Sequence, residues 1–530
     1  MSGAGRGAER DAIVIGAGVN GLVAAVTLAR GGARVVVLER SRSIGGQGRL
    51  LELAPGFRAA PLLRDGGWLP PRMARELGLA ALERVVPDPT IAVPAGEGEW
   101  LTLSSDVARS AAAIRRHSAG DAGKWSAFTA RIAALSGFLQ TLYTMPPPDI
   151  TATAPGELLA LLGVARKLRG LGKTDMIELL RTIPMSVQEL LDDWFECDPL
   201  KAAIGAGGVA DIRQGPRSGG TAFVLLHHHV GAAPGAIRGR AWWRAGPDAP
   251  VHAAEAEALR LGVEIRTGAE VARMTVRDDR VIGAALTDGE EIAARLVLST
   301  ADPTRTFALV DPVWLDPEFL LAVRNIKYRG SAAKVLYALD ALPEFPGLPD
   351  APRALAGTLC LARSLDELEK AADAAKYGRV SESPVVELEV PTLRWPSLAP
   401  AGKHVLVAHV QWAPHALRGP AWDGARRATL GDAVTEAISR AAPCFGERVL
   451  SRLVLAPPDL EAEYGLTEGA ATQGEMTLDQ ILFMRPVAGW ARYAMPLDGL
   501  YLGGAGTHPG SGIPGGPGWL AARRALKDRR

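Results

Sequence analysis

The distribution of apolar and polar residues near the start of the chain predicts a strand, a helix and a second strand in direct succession. Residues 12–15 are apolar and mostly β-branched, which is typical of a buried parallel strand. The glycine-rich segment 16–21 follows, then a helical pattern that ends at a glycine pair, and then a second strand pattern over residues 34–38, which Glu39 closes. This βαβ pattern around a G-x-G-x-x-G turn predicts a dinucleotide-binding unit.

The glycines and the acidic residue of this unit have separate roles. Gly16 permits the sharp turn, Gly18 leaves space for a pyrophosphate, and Gly21 lets the helix lie close to the strand. The N–H groups and the partial positive charge at the helix start favour a phosphate. The Glu39 carboxylate can accept hydrogen bonds from both ribose hydroxyls of an adenosine and would repel a 2′-phosphate, which disfavours NADP.

A second glycine-rich segment lies at the other end of the chain. Residues 500–502 are apolar, residues 503–516 are rich in glycine, and an alanine- and arginine-rich helical pattern follows. A strand and a helix bracket this segment, which favours an ordered turn over a flexible tail. We therefore expect both ends of the chain to meet at one bound cofactor.

The pair Gly45-Gly46 after Glu39, together with the two glycine-rich segments, resembles a known family. The resemblance is to the two-dinucleotide-binding flavoproteins, in the FAD-dependent phytoene (carotenoid) desaturase and retinol saturase-like branch, and most closely to the pyridine nucleotide-disulphide oxidoreductase domain proteins. It implies FAD as the cofactor. The cofactor-binding residues that it implies are Gly16, Gly18, Val19, Asn20, Gly21, Glu39, Arg40, Gly45, Gly46, Gln47, Val271, Ala301, Gly504, Ala505, Gly506, Gly512, Ile513 and Pro514.

The predicted fold class is α/β, with a Rossmann-like FAD-binding domain and an inserted α+β substrate domain. A chain of 530 residues exceeds the size of a single growing core, so about two domains are expected. We assign residues 10–72, 235–305 and 480–530 to the FAD-binding domain, and residues 73–234 and 306–479 to the substrate or cap domain. Both domains are therefore discontinuous in sequence.

Composition excludes several functions. The chain has 59 basic and 58 acidic residues, so it has no basic field for nucleic acid. Its three cysteines lie far apart and include no C-x-x-C pair, which argues against zinc and against a flavin disulphide reductase. We expect a cytoplasmic protein because no signal-peptide or membrane-span pattern occurs. The oligomeric state stays open.

One segment allows contact with a membrane. Residues 158–169 combine apolar positions with Arg166, Lys167 and Arg169. This pattern is compatible with a helix that lies on a membrane surface and delivers a lipid. It is more typical of a lid helix with a solvated basic edge.

Two residues are candidates for catalysis. Lys334 lies in an alternating strand pattern over residues 331–339, and related amine oxidases have a lysine on the corresponding strand, hydrogen-bonded through water to flavin N5. The alternative is an exposed strand lysine.

The second candidate is a histidine. The run 221–230 is predicted to be extended, with His227 and His229 on one face. The resemblance offers His229 as a proton carrier, and ordinary structural hydrogen bonding is the alternative. No metal is expected, because no Cys, Asp or Glu lies at ligand spacing.

These observations favour an FAD-dependent oxidoreductase acting on C–C bonds of an apolar substrate, such as a polyene or an isoprenoid. The expected reaction is desaturation, saturation or isomerisation by hydride transfer with flavin N5, and the electron acceptor stays open between oxygen, a quinone and another acceptor. One alternative is a flavin amine oxidase that uses Lys334. Another is a non-catalytic FAD-binding interaction protein, which departures from the family pattern at residues 47–49 and 242–247 suggest.

Overall fold

The structure is a computed structural model that describes residues 10–148 and 155–529. Its strands are, in chain order, β1 (Ala12–Ile15), β2 (Val35–Glu39), β3 (Leu51–Ala54), β4 (Phe57–Ala59), β5 (Arg84–Val85), β6 (Ile91–Gly96), β7 (Glu99–Leu103), β8 (Trp242–Trp243), β9 (Glu264–Thr267), β10 (Val271–Arg277), β11 (Arg280–Leu286), β12 (Glu291–Ala293), β13 (Val297–Ser299), β14 (Ala332–Leu339), β15 (Thr358–Cys360), β16 (Val385–Glu389), β17 (His404–Gln411), β18 (Val449–Leu455) and β19 (Leu500–Leu502).

The α-helices are, in chain order, α1 (Val19–Arg30), α2 (Pro71–Glu76), α3 (Val107–Arg115), α4 (Ala119–Leu142), α5 (Pro155–Gly170), α6 (Gly172–Thr182), α7 (Val187–Asp192), α8 (Asp198–Gly205), α9 (Thr221–His229), α10 (Ala249–Arg260), α11 (Pro303–Ala308), α12 (Pro317–Arg324), α13 (Ala351–Ala356), α14 (Leu365–Lys376), α15 (Gly424–Ala441), α16 (Pro457–Tyr464) and α17 (Gly516–Asp528).

A five-stranded parallel sheet in the order β19-β13-β1-β2-β9 forms the nucleotide-binding part of the fold. The central strands β1 and β2 are buried because helices cover the sheet, as the apolar run of each strand requires. Helix α1 packs against both α10 and α17, and these contacts bring the two ends of the chain together. The expected βαβ unit is therefore present.

A mixed seven-stranded sheet in the order β18-β14-β17-β16-β15-β6-β7 forms the second part. Two long excursions from the parallel sheet, between β2 and β9 and between β13 and β19, contribute strands to this second sheet, and a shorter one between β9 and β13 forms the separate three-stranded sheet β10-β11-β12. The first excursion supplies β6 and β7, and the second supplies β14 to β18. This arrangement matches an inserted α+β unit, while the exact domain boundaries stay a prediction.

The run 221–230 is the main error in the predicted elements. It forms helix α9, which begins after Gly220 and is buried on nearly every side by the largest apolar core cluster. The five consecutive apolar residues 222–226 fit a buried helix as well as a strand, and periodicity does not separate the two over so short a run. Successive side chains therefore point about 100° apart, and the predicted pairing of His227 with His229 on one face is wrong.

Candidate active site

A cavity of about 570 Å³ lies at the carboxyl ends of the parallel strands. Strand β1 lies between β2 and β13, and the chain crosses from one side of β1 to the other at this point. In open parallel sheets, ligands bind at this edge because the loops that leave the neighbouring strands diverge there. The cavity also extends to the seven-stranded sheet through β14, β16 and β17.

The part of the cavity that we call the glycine half is lined by Gly16, Gly18, Gly45, Gly46 and Gly512. The N–H of Gly45 donates to the Ala17 carbonyl at 2.9 Å, so two glycine segments pack backbone against backbone. A Cβ atom on Gly46 would lie 3.1 Å from Gly18 Cα. Gly16 has a φ of +98°, and a Cβ atom there would lie 2.5 Å from Thr300 Oγ1. Side chains at Gly16 or Gly46 would disrupt this surface.

The Glu39 carboxylate lines the glycine half, and backbone hydrogen bonds fix its orientation. It is 8% exposed, and its two oxygens accept hydrogen bonds from the N–H groups of Ala17 and Ser41, both at 2.8 Å. Each oxygen keeps a second lone pair, so the group can also accept hydrogen bonds from ligand hydroxyls. Two backbone donors thus orient the carboxylate before any ligand binds.

The start of α1 supplies donors for an anion. Gly18 caps the helix, and no side chain in the described chain caps it by a hydrogen bond. The first N–H groups of α1 therefore remain available to a phosphate, which the helix dipole also favours. The Asn20 side-chain oxygen accepts a hydrogen bond from the N–H of Gly515 at 2.9 Å, and this bond ties the second glycine-rich segment to α1.

Most of the predicted cofactor-binding residues line this cavity. Three lie behind its wall instead: Gly21, Gly504 and Gly506. A Cβ atom on Gly21 would lie 1.9 Å from the Gly16 carbonyl oxygen, and one on Gly504 would lie 2.5 Å from that of Thr300. These two glycines allow close backbone packing, and Gly506 donates its N–H to Gln473 Oε1 at 2.9 Å. A cradle without side chains, a free helix start and an oriented carboxylate fit a dinucleotide such as FAD.

The part of the cavity that we call the charged half is lined by Arg64, Asp211, Arg238, Lys334, Glu387 and His409. Three of these residues are cross-strand neighbours, since Lys334 pairs with His409 and His409 pairs with Glu387. Lys334 Nζ lies 2.7 Å from His409 Nδ1. Lys334 is 2% exposed, so the alternative of an exposed strand lysine is wrong.

Glu387 is shared by two guanidinium groups. Arg238 Nη2 donates to Glu387 Oε2 at 2.9 Å, and Arg64 Nη2 donates to the same oxygen. Burial alone would raise the pKa of Glu387, but the Arg238 and Arg64 charges outweigh it and hold this pKa at about 2. Glu387 is therefore an anion at every physiological pH.

Burial lowers the pKa of the basic groups in the charged half, whereas it raises the pKa of an acid. It lowers the pKa of Lys334 to about 8, and the Arg64 charge adds to this effect while the Asp211 charge opposes it. Burial, with the charges of Arg64 and Lys334, lowers the pKa of His409 well below its ordinary value. The charged half thus contains a neutral histidine and one lysine that titrates near neutral pH.

Of the three consecutive histidines, His228 lines the cavity. Its Nε2 atom is buried and has no hydrogen-bond partner in the described residues. His227 contacts Tyr143 Oη at 2.8 Å through Nδ1, and burial lowers the pKa of His227 to about 3. His229 is not among the cavity-lining residues, and its role as a proton carrier stays a prediction.

Sequence reasoning missed most of the charged half. Arg64, Arg238, Glu387 and His409 come from separate segments, and no local motif links them. A signal existed in the strands, because Lys334, Glu387 and His409 each interrupt a run of apolar residues in a buried strand. Charged or polar residues at such positions are rarely buried without a partner.

Two further properties concern only the described residues. Among them, no group of three or more His, Cys, Asp or Glu side chains could hold a metal ion. No described helix has both the length and the apolar character needed to cross a bilayer.

The geometry agrees with family membership. Residues 169–526 match the family described as flavin containing amine oxidoreductase, and residues 14–60 match the NAD(P)-binding Rossmann-like domain. The first match covers more than half of the chain, and the protein belongs to the flavin containing amine oxidoreductase family. This membership supports an FAD-dependent oxidoreductase, and the predicted cofactor FAD is confirmed.

The chain is also similar to individual proteins over nearly its full length. It is 35% identical to pyridine nucleotide-disulfide oxidoreductase domain-containing protein 2 of Rattus norvegicus, over 98% of this chain and 94% of the relative. It is 23% identical to the phytoene desaturase of Fusarium fujikuroi, over 96% of this chain and 87% of the relative. The predicted family resemblance is confirmed.

A solved structure supports the fold. The crystal structure of an oxidoreductase from Methanosarcina mazei superposes with a TM-score of 0.58 at 16% identity, over 98% of this chain and 100% of that chain. At this identity the likeness concerns the fold alone. The predicted α/β class with a Rossmann-like domain is confirmed.

Proposed function

We propose that this FAD-dependent oxidoreductase acts on C–C bonds of a largely apolar substrate, by desaturation, saturation or isomerisation. The observation that carries the proposal is the continuity of one cavity from the glycine half to the cap, which gives a substrate room beside the cofactor. The similarity to a phytoene desaturase over nearly the whole chain favours C–C chemistry.

FAD would lie in the glycine half. Its pyrophosphate would approach Gly18 and the start of α1, and its adenosine ribose would meet Glu39. When bound, FAD supplies a ring that accepts two electrons with a hydride from the substrate. The protein contributes position, exclusion of water and hydrogen bonds.

Lys334 is the residue that we propose for a catalytic role. It is buried, lines the cavity, and carries a proton that it can lose near neutral pH. His409 fixes its ammonium group from the neighbouring strand. A lysine held in this way can donate a hydrogen bond or a proton to a group in the cavity.

Anaerobic mixing tests the proposed reaction. The holoenzyme is mixed with polyenes, isoprenoids and their saturated analogues, and flavin absorbance is followed in both oxidised and reduced enzyme. Bleaching of the oxidised flavin by an apolar substrate, or reoxidation of reduced flavin by an unsaturated one, supports the proposal. Adding oxygen or a quinone afterwards identifies the electron acceptor. A flavin that responds to no such compound contradicts the proposal.

A second candidate function is amine oxidation. The family name and the buried position of Lys334 favour it. Hydrogen peroxide is measured with a panel of primary and polyamine substrates, for the wild type and for Lys334→Met. Amine-dependent peroxide that the substitution abolishes supports this function, and its absence with every amine removes it.

We also propose that α5 contacts a membrane from which an apolar substrate is taken. Leu159 and Leu162 are 71% and 65% exposed, and α5 buries none of its residues. Arg166 and Lys167 lie on the same helix and would face anionic lipid headgroups.

Vesicle flotation tests this contact. The double variant Leu159→Asp, Leu162→Asp should lose binding to vesicles that contain an anionic phospholipid. Val313→Asp changes an apolar residue that is 78% exposed elsewhere, and it should bind normally. Equal flotation of the double variant and the wild type contradicts the contact.

A further inference from the structure

The charged half of the cavity has more positive than negative charge. Arg64, Arg238 and Lys334 are cationic below pH 8, whereas Glu387 and Asp211 are the anions among the residues that define this half. Glu387 is already bound by both guanidinium groups, and Asp211 lies 3.8 Å from Arg64. Glu389 also lines the cavity, but it pairs with Arg394. One positive charge therefore remains without an anionic partner in the described part of the site.

That charge lies on Lys334. Its Nζ atom has one hydrogen-bond partner among the described residues, His409 Nδ1, although an ammonium group has three donors. Gln411 explains why His409 can accept this bond. The Gln411 side-chain N–H groups donate to the carbonyls of Val209 and Ile212, so its oxygen faces His409 Nε2 at 2.9 Å. With Nε2–H donating to Gln411, Nδ1 is free to accept from Lys334.

This arrangement leaves Arg64 with a donor to spare. In this tautomer Arg64 Nη1 lies 2.7 Å from a His409 Nε2 atom that carries a proton, so two donors face each other, and a shift of the Arg64 guanidinium toward an anion would relieve this repulsion. An anion in the cavity would receive this N–H together with the free donors of Lys334. Lys334 is buried and Arg64 is partly buried, and charge-assisted hydrogen bonds are stronger in such surroundings than in water.

We infer that the substrate is an amphiphile whose carboxylate is bound between Lys334 and Arg64, with its hydrocarbon part against apolar residues of the same cavity. Leu62, Leu63 and Val407 are among these apolar residues. The inference deepens the proposed function, on which it rests, by giving the apolar substrate an anionic end. A pure hydrocarbon would leave the surplus charge desolvated and unpaired.

Binding to the oxidised holoenzyme tests this inference. The probes are dodecanoate, dodecanol and dodecene, which share one hydrocarbon length, and binding is measured by the change in the flavin absorbance spectrum at pH 7. We expect dodecanoate to bind at least about tenfold more tightly than dodecanol, as a charge-assisted hydrogen bond allows. Lys334→Met should reduce this ratio to about twofold, whereas Lys334→Arg should keep most of it.

Two controls distinguish binding of the carboxylate at Lys334 from a general effect of removing a lysine and from an effect on the flavin. Lys370→Met changes an exposed lysine on α14 and should keep the wild-type ratio. Oxidised flavin carries no charge, so a preference for dodecanoate in oxidised enzyme belongs to the substrate site. If Lys334→Met shifts the flavin reduction potential but leaves the ratio unchanged, the charge serves the cofactor and the inference is wrong.

The pH dependence gives a further readout. Lys334 should lose its proton as the pH rises through about 8, so the preference for dodecanoate should be present below this pH and fall above it. The charged and titratable groups that face Lys334 are Asp211, Glu387, Glu389, His409 and Arg64. The Arg238 and Arg64 charges hold the pKa of Glu387 at about 2, burial keeps the pKa of His409 well below its ordinary value, and burial raises the pKa of Glu389 against the charge of Arg394. Glu387 and His409 therefore keep their protonation states between pH 6 and pH 10. A ratio that does not change between pH 6 and pH 10 contradicts the inference.

Failure of this inference and failure of the proposed function give different results. If apolar compounds bleach the flavin but dodecanoate has no advantage, or does not bind at millimolar concentration, the function stands and the inference falls. If dodecanoate binds through Lys334 but no compound exchanges electrons with the flavin, the inference stands and the C–C function falls.

Discussion

The glycine half of the cavity is built from backbone, whereas the charged half is built from side chains. Two segments near the ends of the chain supply the glycine half, and their close packing depends on missing Cβ atoms. The charged half combines residues from separate strands and loops, and each needs its ionic or hydrogen-bonding partners. Cofactor binding therefore depends on steric space in one half, and substrate choice depends on charge balance in the other.

The largest expected effect of a single substitution is the loss of FAD from Gly18→Val. Gly18 has a φ of −72°, and a Cβ atom would make only ordinary contacts with Gly45 and Gly46 at 3.7 Å or more. The fold should tolerate the change, but the side chain fills the space of the pyrophosphate. We expect FAD affinity to fall at least about 1,000-fold, measured by quenching of flavin fluorescence.

A matched control is Gly137→Ala in α4, where a Cβ atom meets nothing within 4 Å. This variant should bind FAD as the wild type does. Normal FAD affinity in a folded Gly18→Val protein would show that the glycine half does not hold the cofactor.

A substitution in the charged half should act on stability. Glu387→Gln leaves Arg64 and Arg238, whose side chains are only 20% and 12% exposed, without their shared anion, and we expect the free energy of unfolding to fall by about 3 kcal/mol. Urea unfolding of the flavin-free protein measures this. Glu291→Gln, which breaks an exposed ion pair with Arg273, should cost clearly less. Equal losses for the two variants would contradict the assigned role of Glu387.

Lys334 should destabilise the fold in a pH-dependent way. Its pKa is lowered from 10.5 to about 8 on folding, so the unfolded chain binds more protons between these values. Stability of the wild type relative to Lys334→Met should therefore rise with pH across this window, by on the order of 3 kcal/mol. Denaturant unfolding at pH 7.5 and pH 10 measures the difference. A constant difference between the two proteins would mean that Lys334 is not charged and buried as described.

The smallest of these effects is expected from Glu39→Gln. The amide can still accept a hydrogen bond from Ala17, but it loses the charge that strengthens bonds to the ribose hydroxyls. We expect FAD affinity to fall about tenfold and affinity for a 2′-phosphorylated adenosine ligand to rise relative to the wild type. Titration with FAD checks the first expectation, and titration with ADP-ribose and 2′-phospho-ADP-ribose checks the second. An unchanged preference would place the ribose away from Glu39.

The contrast between the glycine half and the charged half also explains which parts of the site could be predicted from the sequence. The βαβ unit, its glycines and Glu39 lie within a few residues of one another, so local spacing identified them. Lys334 was found through its strand pattern and the family resemblance. His409 and Glu387 meet Lys334 only through β-sheet register, and Arg64 and Arg238 arrive from loops. Helix α9 was missed because its apolar run carries no period that distinguishes a helix from a strand.

The visible absorbance spectrum of the purified and reconstituted protein tests the central claim most directly. We expect the wild type to show the flavin absorbance bands with one FAD bound per chain, and Gly18→Val to remain colourless after the same reconstitution. A folded wild-type protein that stays colourless and takes up no FAD would contradict the account.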